Sequence, residues 1–336
     1  MGAATQPTDL SDLRTAFLNA LREATGVTAT NTIADRYLNM ALHDIFVDWD
    51  LPWAIRRATL ITQDKYTTGT ISISKGSTSL TGASTLWNTA NSFAVNNARA
   101  GGKLILGSVI NGVYEVSSVT NDTTIVLTSR FTGTTLAAGT SYTYFEDEYA
   151  LASDFFRSAH PKEFSNNIPI SIIDRQEFTR RYTRNDITNT PRIATIIDLA
   201  PLTSTARNMR IVFHPPPDKA YKIDYDYQTT NLAVATDGTA KTQLTVTTDE
   251  PIIPLRYRHV ILLRALSDWY RDRKSDTERA VLAKGEYVDL MNRMVGDTSN
   301  ASSRPRIIPR TAQYFPRRRS GSRRYDVNDE FDQLLR

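Results

Sequence analysis

The chain is 336 residues long, 40% hydrophobic and 23% charged, with 40 basic against 36 acidic residues and a formal net charge of +4. It has no cysteine, which excludes a disulfide framework, a thiolate zinc site and a cysteine nucleophile and fits a reducing cytoplasm or a particle assembled in one. The length allows a real core in one large domain or two small ones; no apolar run approaches the roughly 20 residues that span a bilayer, and nothing near Met1 reads as a signal peptide.

Thr8 or Asp9 predicts the cap of a first helix with Leu10, Leu13, Phe17 and Leu21 on one face and Gly26 at its end. Asn31 is the expected cap of a second, carrying Ile33, Tyr37, Ala41 and Ile45, and Leu51-Pro52-Trp53 ends the helical run. Residues 66–145 are then rich in Thr, Ser and Gly. Ile71 and Ile73 alternate with serines, Asn111-Gly112 is a strong hairpin signal, and Tyr142 and Tyr144 close a segment that reads as an inserted antiparallel barrel or small sandwich.

Beyond Asp154 the spacing predicts a short helix over 176–181, strands over 192–199 and 209–213, and a turn at Pro215-Pro216-Pro217. Tyr221, Ile223, Tyr225 and Tyr227 alternate with charged residues, as a half-buried strand does. A closing helical hairpin is expected from Pro254, with Val260, Leu263, Leu266, Trp269 and Tyr270 at helical spacing. Ser275-Asp276-Thr277-Glu278 reads as a capping box, and the second helix, with Val281, Tyr287, Leu290 and Met294, stops at Gly296. Neither helical pair covers its apolar stripe alone, so Leu263, Leu266 and Trp269 are expected against Leu13, Phe17, Tyr37 or Ala41.

The expected fold is therefore α+β. Residues 1–65 and 254–296 supply the two halves of a helical bundle, 66–145 the inserted β module, 146–253 a mixed β region and 297–336 an extended basic arm.

Few residues form a chemical constellation. His43, His160, His214 and His259 are scattered without ligand-like spacing. Asp224 and Asp226 share a strand face and can be read as an acid and base, or as a solvated face opposite three tyrosines. Glu146, Asp147 and Glu148 form an acidic knot readable as metal site or soluble loop, and Lys75-Gly76-Ser77-Thr78 has phosphate-loop residue types in the wrong order, hence a turn. No catalytic centre, metal or cofactor is expected.

The arm carries the basic charge. Arg304, Arg306, Arg310, Arg317, Arg318, Arg319, Arg323 and Arg324 have no acid among them, and with Arg336 against four acids residues 304–336 carry +5, which leaves the body at about −1. Tyr314, Phe315 and Tyr325 would stack on bases if the arginines bound phosphates. The ending, with Asp326, Asp329, Glu330 and Asp332 beside Phe331 and Leu334, favours a protein partner whose carboxylates meet arginine and whose pockets take the apolar anchors.

The order of helical pair, central β region, closing hairpin and tail resembles the head-to-tail adaptor, or connector, proteins of tailed bacteriophages. The resemblance rests on Asp48-Trp49-Asp50-Leu51-Pro52-Trp53, Tyr149-Ala150-Leu151-Ala152-Ser153-Asp154-Phe155, Phe213-His214-Pro215-Pro216-Pro217-Asp218 and Ile253-Pro254-Leu255-Arg256-Tyr257. Residues from Thr68 to Trp87 are similar to a β module common in phage structural proteins.

The resemblance implies a non-enzymatic ring of twelve copies in the virion neck, assembled in the host cytoplasm. The ring would bridge portal and a tail or nozzle protein and help retain packaged DNA, with no membrane partner. A split helical bundle is a wedge, and wedges close into rings through heterologous interfaces. A tail or receptor-binding protein is the alternative reading, and a virion-associated glycosidase a third that needs paired carboxylates in a cleft.

Overall fold

The computed structural model describes residues 6–23, 26–49, 51–160, 163–182, 187–198, 209–274 and 276–298. The chain is mixed α+β and divides into two units. One holds the chain up to Pro52, Ala235–Asp237 and the chain from Leu244 on; the other holds Trp53–Val234 and Gly238–Gln243.

The first unit opens with α1 (Leu10–Leu21). Asp9 caps it by accepting the Asp12 N–H at 2.9 Å, while Asp12 reaches back to accept the Thr8 N–H and hydroxyl at 3.0 and 2.6 Å. The buried face is Leu10, Leu13, Phe17 and Leu18. The helix ends well before Gly26: Arg22 already turns left-handed at φ 57, and its N–H closes on the last carbonyls. Helix α2 (Thr28–Asp48) begins three residues earlier than Asn31, after Val27, which offers no side-chain cap. The Asn31 N–H instead donates to the Val27 carbonyl as part of the first turn.

The second unit is a set of antiparallel sheets. Strand β1 (Ile55–Ile61) precedes the module β2 (Thr70–Ile73), β3 (Ser79–Ala83), β4 (Lys103–Leu106), β5 (Val113–Asn121), β6 (Thr124–Leu127), β7 (Leu136–Thr140) and β8 (Tyr142–Phe145). These seven pair in the order β7-β2-β3-β6-β5-β4-β8. Its two edge strands, β7 and β8, are separated only by Ser141 in the chain, so the sheet must curl to bring its edges together. Inward positions alternate as expected: Ile71, Ile73, Leu80, Tyr114, Val116, Ile125, Leu127, Tyr142 and Tyr144 form one core with Trp87 and Phe131. Gly112, at φ 83, completes the β4–β5 hairpin foreseen at Asn111-Gly112.

Next come β9 (Glu148–Ala150), β10 (Phe155–Ser158), β11 (Ser171–Ile172), α3 (Arg175–Arg181), β12 (Ile193–Asp198), β13 (Met209–His214) and β14 (Lys222–Thr229). They form a three-stranded sheet β1-β14-β10 and a four-stranded sheet β11-β12-β13-β9, in which only β11 and β12 run parallel. Ile223, Tyr225 and Tyr227 of β14 point into a core with Phe155, Phe164 and Phe213. Asp154 anchors the end of that strand, accepting from the Tyr227 hydroxyl at 2.6 Å and the Thr229 hydroxyl at 2.7 Å.

The chain then returns to the first unit. Pro254 precedes a single 3₁₀ turn, Leu255–Tyr257, rather than starting the helix, and α4 spans His259–Trp269. A π turn over Tyr270–Lys274 leads to α5 (Thr277–Thr298). Its cap is Asp276, which accepts the Arg279 N–H at 3.1 Å, one residue later than expected; Ser275 lies outside the described residues. The helix continues past Gly296. Its buried stripe is Ala280, Ala283, Tyr287, Met291 and Met294, whereas Val281 is 63% exposed, a correction to the expected face. Val281 is one residue, about 100° of helix, off the stripe set by Ala280.

Candidate functional site

The side chains expected to join the two helical pairs are buried in the first unit: Leu13, Phe17, Tyr37, Ala41, Leu263, Leu266 and Trp269. Trp269 stands edge-on to Phe17 and Tyr37, with ring centroids 5.9 and 5.3 Å away. The indole N–H of Trp49 donates to the Tyr287 hydroxyl at 2.9 Å, tying α5 to the end of α2. Charged groups also connect these helices: Arg264 on α4 reaches Asp44 on α2 at 2.8 Å and Asp268, one turn on, at 3.3 Å. Burial raises Asp268 above the ordinary carboxylate range against the pull of both arginines near it, Arg264 and Arg271.

In the second unit the acidic knot is an ion-pair junction where β8 leaves the curled sheet. Glu146 takes a two-pronged contact from Arg99 and accepts the Tyr144 hydroxyl at 2.6 Å. Asp147, with its side chain fully covered, meets the Lys103 ammonium at 2.5 Å; burial raises its pKa while Lys103 opposes the rise. Glu148 lies 3.9 Å from Arg210. Glu146 and Glu148, together with Arg99 and Arg210, line an open cleft of about 310 Å³ beside Tyr149. Every acid of the knot faces a base, which makes a charge-matched joint. Burial pushes the Tyr144 and Tyr149 hydroxyls far above their usual range, so they stay protonated donors.

The β14 carboxylates are held in the charged form. Asp226 accepts from Arg57 at 2.9 and 3.3 Å, and this contact lowers its pKa. Asp224 accepts the Thr59 hydroxyl at 2.5 Å and is also lowered, chiefly by that bond. Both shifts favour the charged carboxylate, whereas a general acid needs the opposite shift. Lys75–Thr78 forms the turn between β2 and β3, with the Gly76 N–H bonded to the Phe131 carbonyl. His214 packs 4.8 Å from the Tyr182 ring, and burial lowers its pKa. Among the described residues no group of three or more His, Cys, Asp or Glu is arranged to hold a metal ion, and no helix is long and apolar enough to cross a membrane.

The arm residues Arg304, Arg306, Arg310, Tyr314, Phe315, Arg317, Arg318, Arg319, Arg323, Arg324, Tyr325, Phe331 and Leu334 lie outside the described residues. What sequence reasoning missed is the set of bases that satisfies the acidic knot. Arg99, Lys103 and Arg210 lie more than forty positions from their partners, and no local pattern marks them.

No curated protein matches the chain. The family model described as SU10 adaptor protein matches residues 120–309, a stretch that takes in the end of the curled sheet, the mixed sheets and the α4–α5 pair. That match covers more than half of the chain, which therefore belongs to the SU10 adaptor protein family, a family of phage head-to-tail adaptors.

Proposed function

We propose that this chain is a non-enzymatic virion protein that forms a closed ring, of twelve copies, between the portal and the tail or nozzle protein in the neck of a tailed phage. Family membership is the observation that carries this reading. The physical chemistry supports it from two sides. The helices at the two ends of the described chain fall in one unit, which we read as a four-helix bundle acting as a rigid wedge. The carboxylates of the acidic knot meet bases and those of β14 are held charged, which suits a scaffold better than a reaction centre.

In this reading residues 304–336 are the portal-docking arm. Their arginines pair with carboxylates of the portal while Tyr314, Phe315, Phe331 and Leu334 enter apolar pockets, and arginines nearest the channel contact packaged DNA and help keep it in the head. Assembly takes place in the host cytoplasm. The test is co-sedimentation of the full chain and of a chain truncated before Arg304 with purified portal. The truncated chain remains folded by circular dichroism and loses portal binding. Undiminished portal binding, with only DNA retention lost, would make the arm a nucleic-acid element instead.

A further inference from the structure

The cleft beside Tyr149 holds two guanidinium groups that are bonded very unequally. Arg99 donates through Nε at 3.0 Å and through Nη2 to the two oxygens of Glu146, so its fork is taken up. Arg210 has no such partner. Its Nε is buried without a hydrogen bond, and the Glu148 carboxylate stands 3.9 Å from it, beyond hydrogen-bond reach. Among the described residues Arg210 makes one hydrogen bond, a long one from Nη2 to the Glu148 carbonyl at 3.4 Å. A guanidinium carries five donors in a planar fork, and donors left unmade inside a fold cost stability.

The surroundings hold that group ready. Arg210 lies on β13 opposite Ala150 of β9, in a ladder that fixes where its side chain leaves the sheet. The side chain is 32% exposed, and because Nε is covered, the part it offers to a ligand is the Nη1–Nη2 edge. Across from that edge the chain is bare backbone: a Cβ on Gly101 would meet only the Arg210 Nη2, at 4.0 Å. At Gly102 a Cβ would overlap the Tyr144 phenol, so glycine is what lets that ring seat under the cleft. The Tyr144 hydroxyl accepts the Arg99 N–H at 2.9 Å, and the Tyr149 hydroxyl accepts the Gln63 N–H at 3.0 Å while donating to the Glu146 carbonyl at 3.1 Å. Walls fixed in this way need little reordering when a ligand arrives.

Charge and wall chemistry decide the ligand class. Arg99 and Arg210 against Glu146 and Glu148 give the cleft no net charge, so it lacks the surplus of positive charge that draws a nucleic-acid backbone. A single carboxylate suits it, since two coplanar oxygens match the two terminal nitrogens of one guanidinium. The remaining wall is apolar, formed by Leu60, Ile61 and Ala150. Leu60 packs inward on the core of the mixed sheets, whereas Ile61 is 51% exposed at the rim and has room for an apolar side chain against it.

We infer that this cleft is a docking pocket for an acidic side chain of a partner protein. The carboxylate meets the Nη1–Nη2 edge of Arg210, and an apolar residue next to it in the partner covers Ile61. The inference does not depend on the ring and concerns the β region rather than the arm.

The test titrates the full-length chain with acetyl-Leu-Glu-Leu-amide and acetyl-Leu-Gln-Leu-amide by ligand-observed NMR, so that the peptides differ by one carboxylate. The glutamate peptide is expected to bind about tenfold more tightly than the glutamine peptide. Arg210→Met, and Arg210→Lys, which keeps the charge but loses the fork, each remove most of that preference. The arginine arm is present in every sample, so the difference between wild type and variant reports the cleft. Ile61→Ser keeps the wild-type melting temperature and weakens both peptides by about threefold. Equal binding of the two peptides by the wild type overturns the pocket, as does a preference that survives in a folded Arg210→Met chain. Affinity unchanged by Ile61→Ser overturns it too, and decides the matter even where the Arg210 variants fold poorly. Oligothymidylate binding that falls about tenfold in Arg210→Met would make the cleft a nucleic-acid contact and equally overturn the inference.

Discussion

The Trp269 ring sits 5.3 Å from the ring of Tyr37 at an interplanar angle of 74°, with Phe17 closing the same aromatic corner at 5.9 Å. One side chain each from α1, α2 and α4 meets there, so this corner joins residues from widely separated parts of the sequence. The Trp269 indole nitrogen is buried without a hydrogen-bond partner, so the stabilisation comes from ring packing and from the Arg273 guanidinium 5.7 Å from the ring, not from a hydrogen bond. Trp269→Ala is therefore expected to destabilise the helical unit by about 3–5 kcal/mol, and Trp269→Phe by less than half of that loss. Chemical denaturation followed by circular dichroism checks the ratio, and equal losses for the two variants would contradict it.

Acid stability should depend on β14. The Asp226 and Asp224 pKa values are lowered in the folded protein, the first by Arg57 and the second by Thr59. A depressed carboxyl stabilises the fold above its unfolded pKa, near 4, and that contribution disappears as pH falls through the folded value. Asp226→Asn should flatten the fall in thermal midpoint between pH 4 and pH 2 while moving the midpoint at pH 7 only slightly, since Arg57 is mostly exposed. A slope in this window identical to wild type would remove Asp226 from the account.

Asp147 should behave with the opposite sign. Burial raises it, so its charge costs stability at neutral pH, is offset by Lys103, and is relieved as pH falls through the raised folded value. Lys103→Met removes that offset and is expected to destabilise the protein by about 3–5 kcal/mol at pH 7. The deficit should shrink as Asp147 takes up a proton on acidification. A deficit that stays constant between pH 7 and pH 4 would mean that the ion pair is not its cause.

At alkaline pH the tyrosines take over. Burial pushes Tyr287 up to about 12, with the Trp49 bond acting against that rise, and Tyr144 and Tyr149 are raised further. Such groups stabilise the fold fully below the unfolded value near 10 and lose that contribution as pH climbs toward the folded value. Ultraviolet titration should show exposed phenols ionising near pH 10 and a separate cooperative step coincident with unfolding. A single smooth titration of all fifteen tyrosines in the folded protein would contradict the burial described here.

Long-period patterns were the legible part of the fold. The alternation at Ile223, Tyr225 and Tyr227 and the stripe at Leu10, Leu13 and Phe17 are governed by burial of large side chains, which sequence displays directly. On helix α5 Tyr287 and Met294 lie on the buried face as their spacing predicts, and only Val281 falls outside it, because that face begins with Ala280 and Ala283, whose small size carries little hydrophobic signal. Asn31 has the residue type of a cap, yet the first turn closes onto the Val27 carbonyl without any side chain, so the structure places the cap at Val27. The knot at Glu146–Glu148 was visible as charge and opaque as structure, since its counter-ions arrive through tertiary pairing from β4, β13 and the preceding loop. The arm that dominates the charge pattern lies beyond Thr298, outside the described residues.

The central claim is that this chain is a ring-forming neck adaptor, and the most direct measurement is a symmetry-resolved cryo-EM reconstruction of the particle neck with the chain located by its own side-chain density. The account predicts a closed ring of this chain directly beneath the portal and above the tail. Density for the chain confined to the distal tail or its fibres, with the portal meeting the tail without it, would contradict the account and favour a tail or receptor-binding protein.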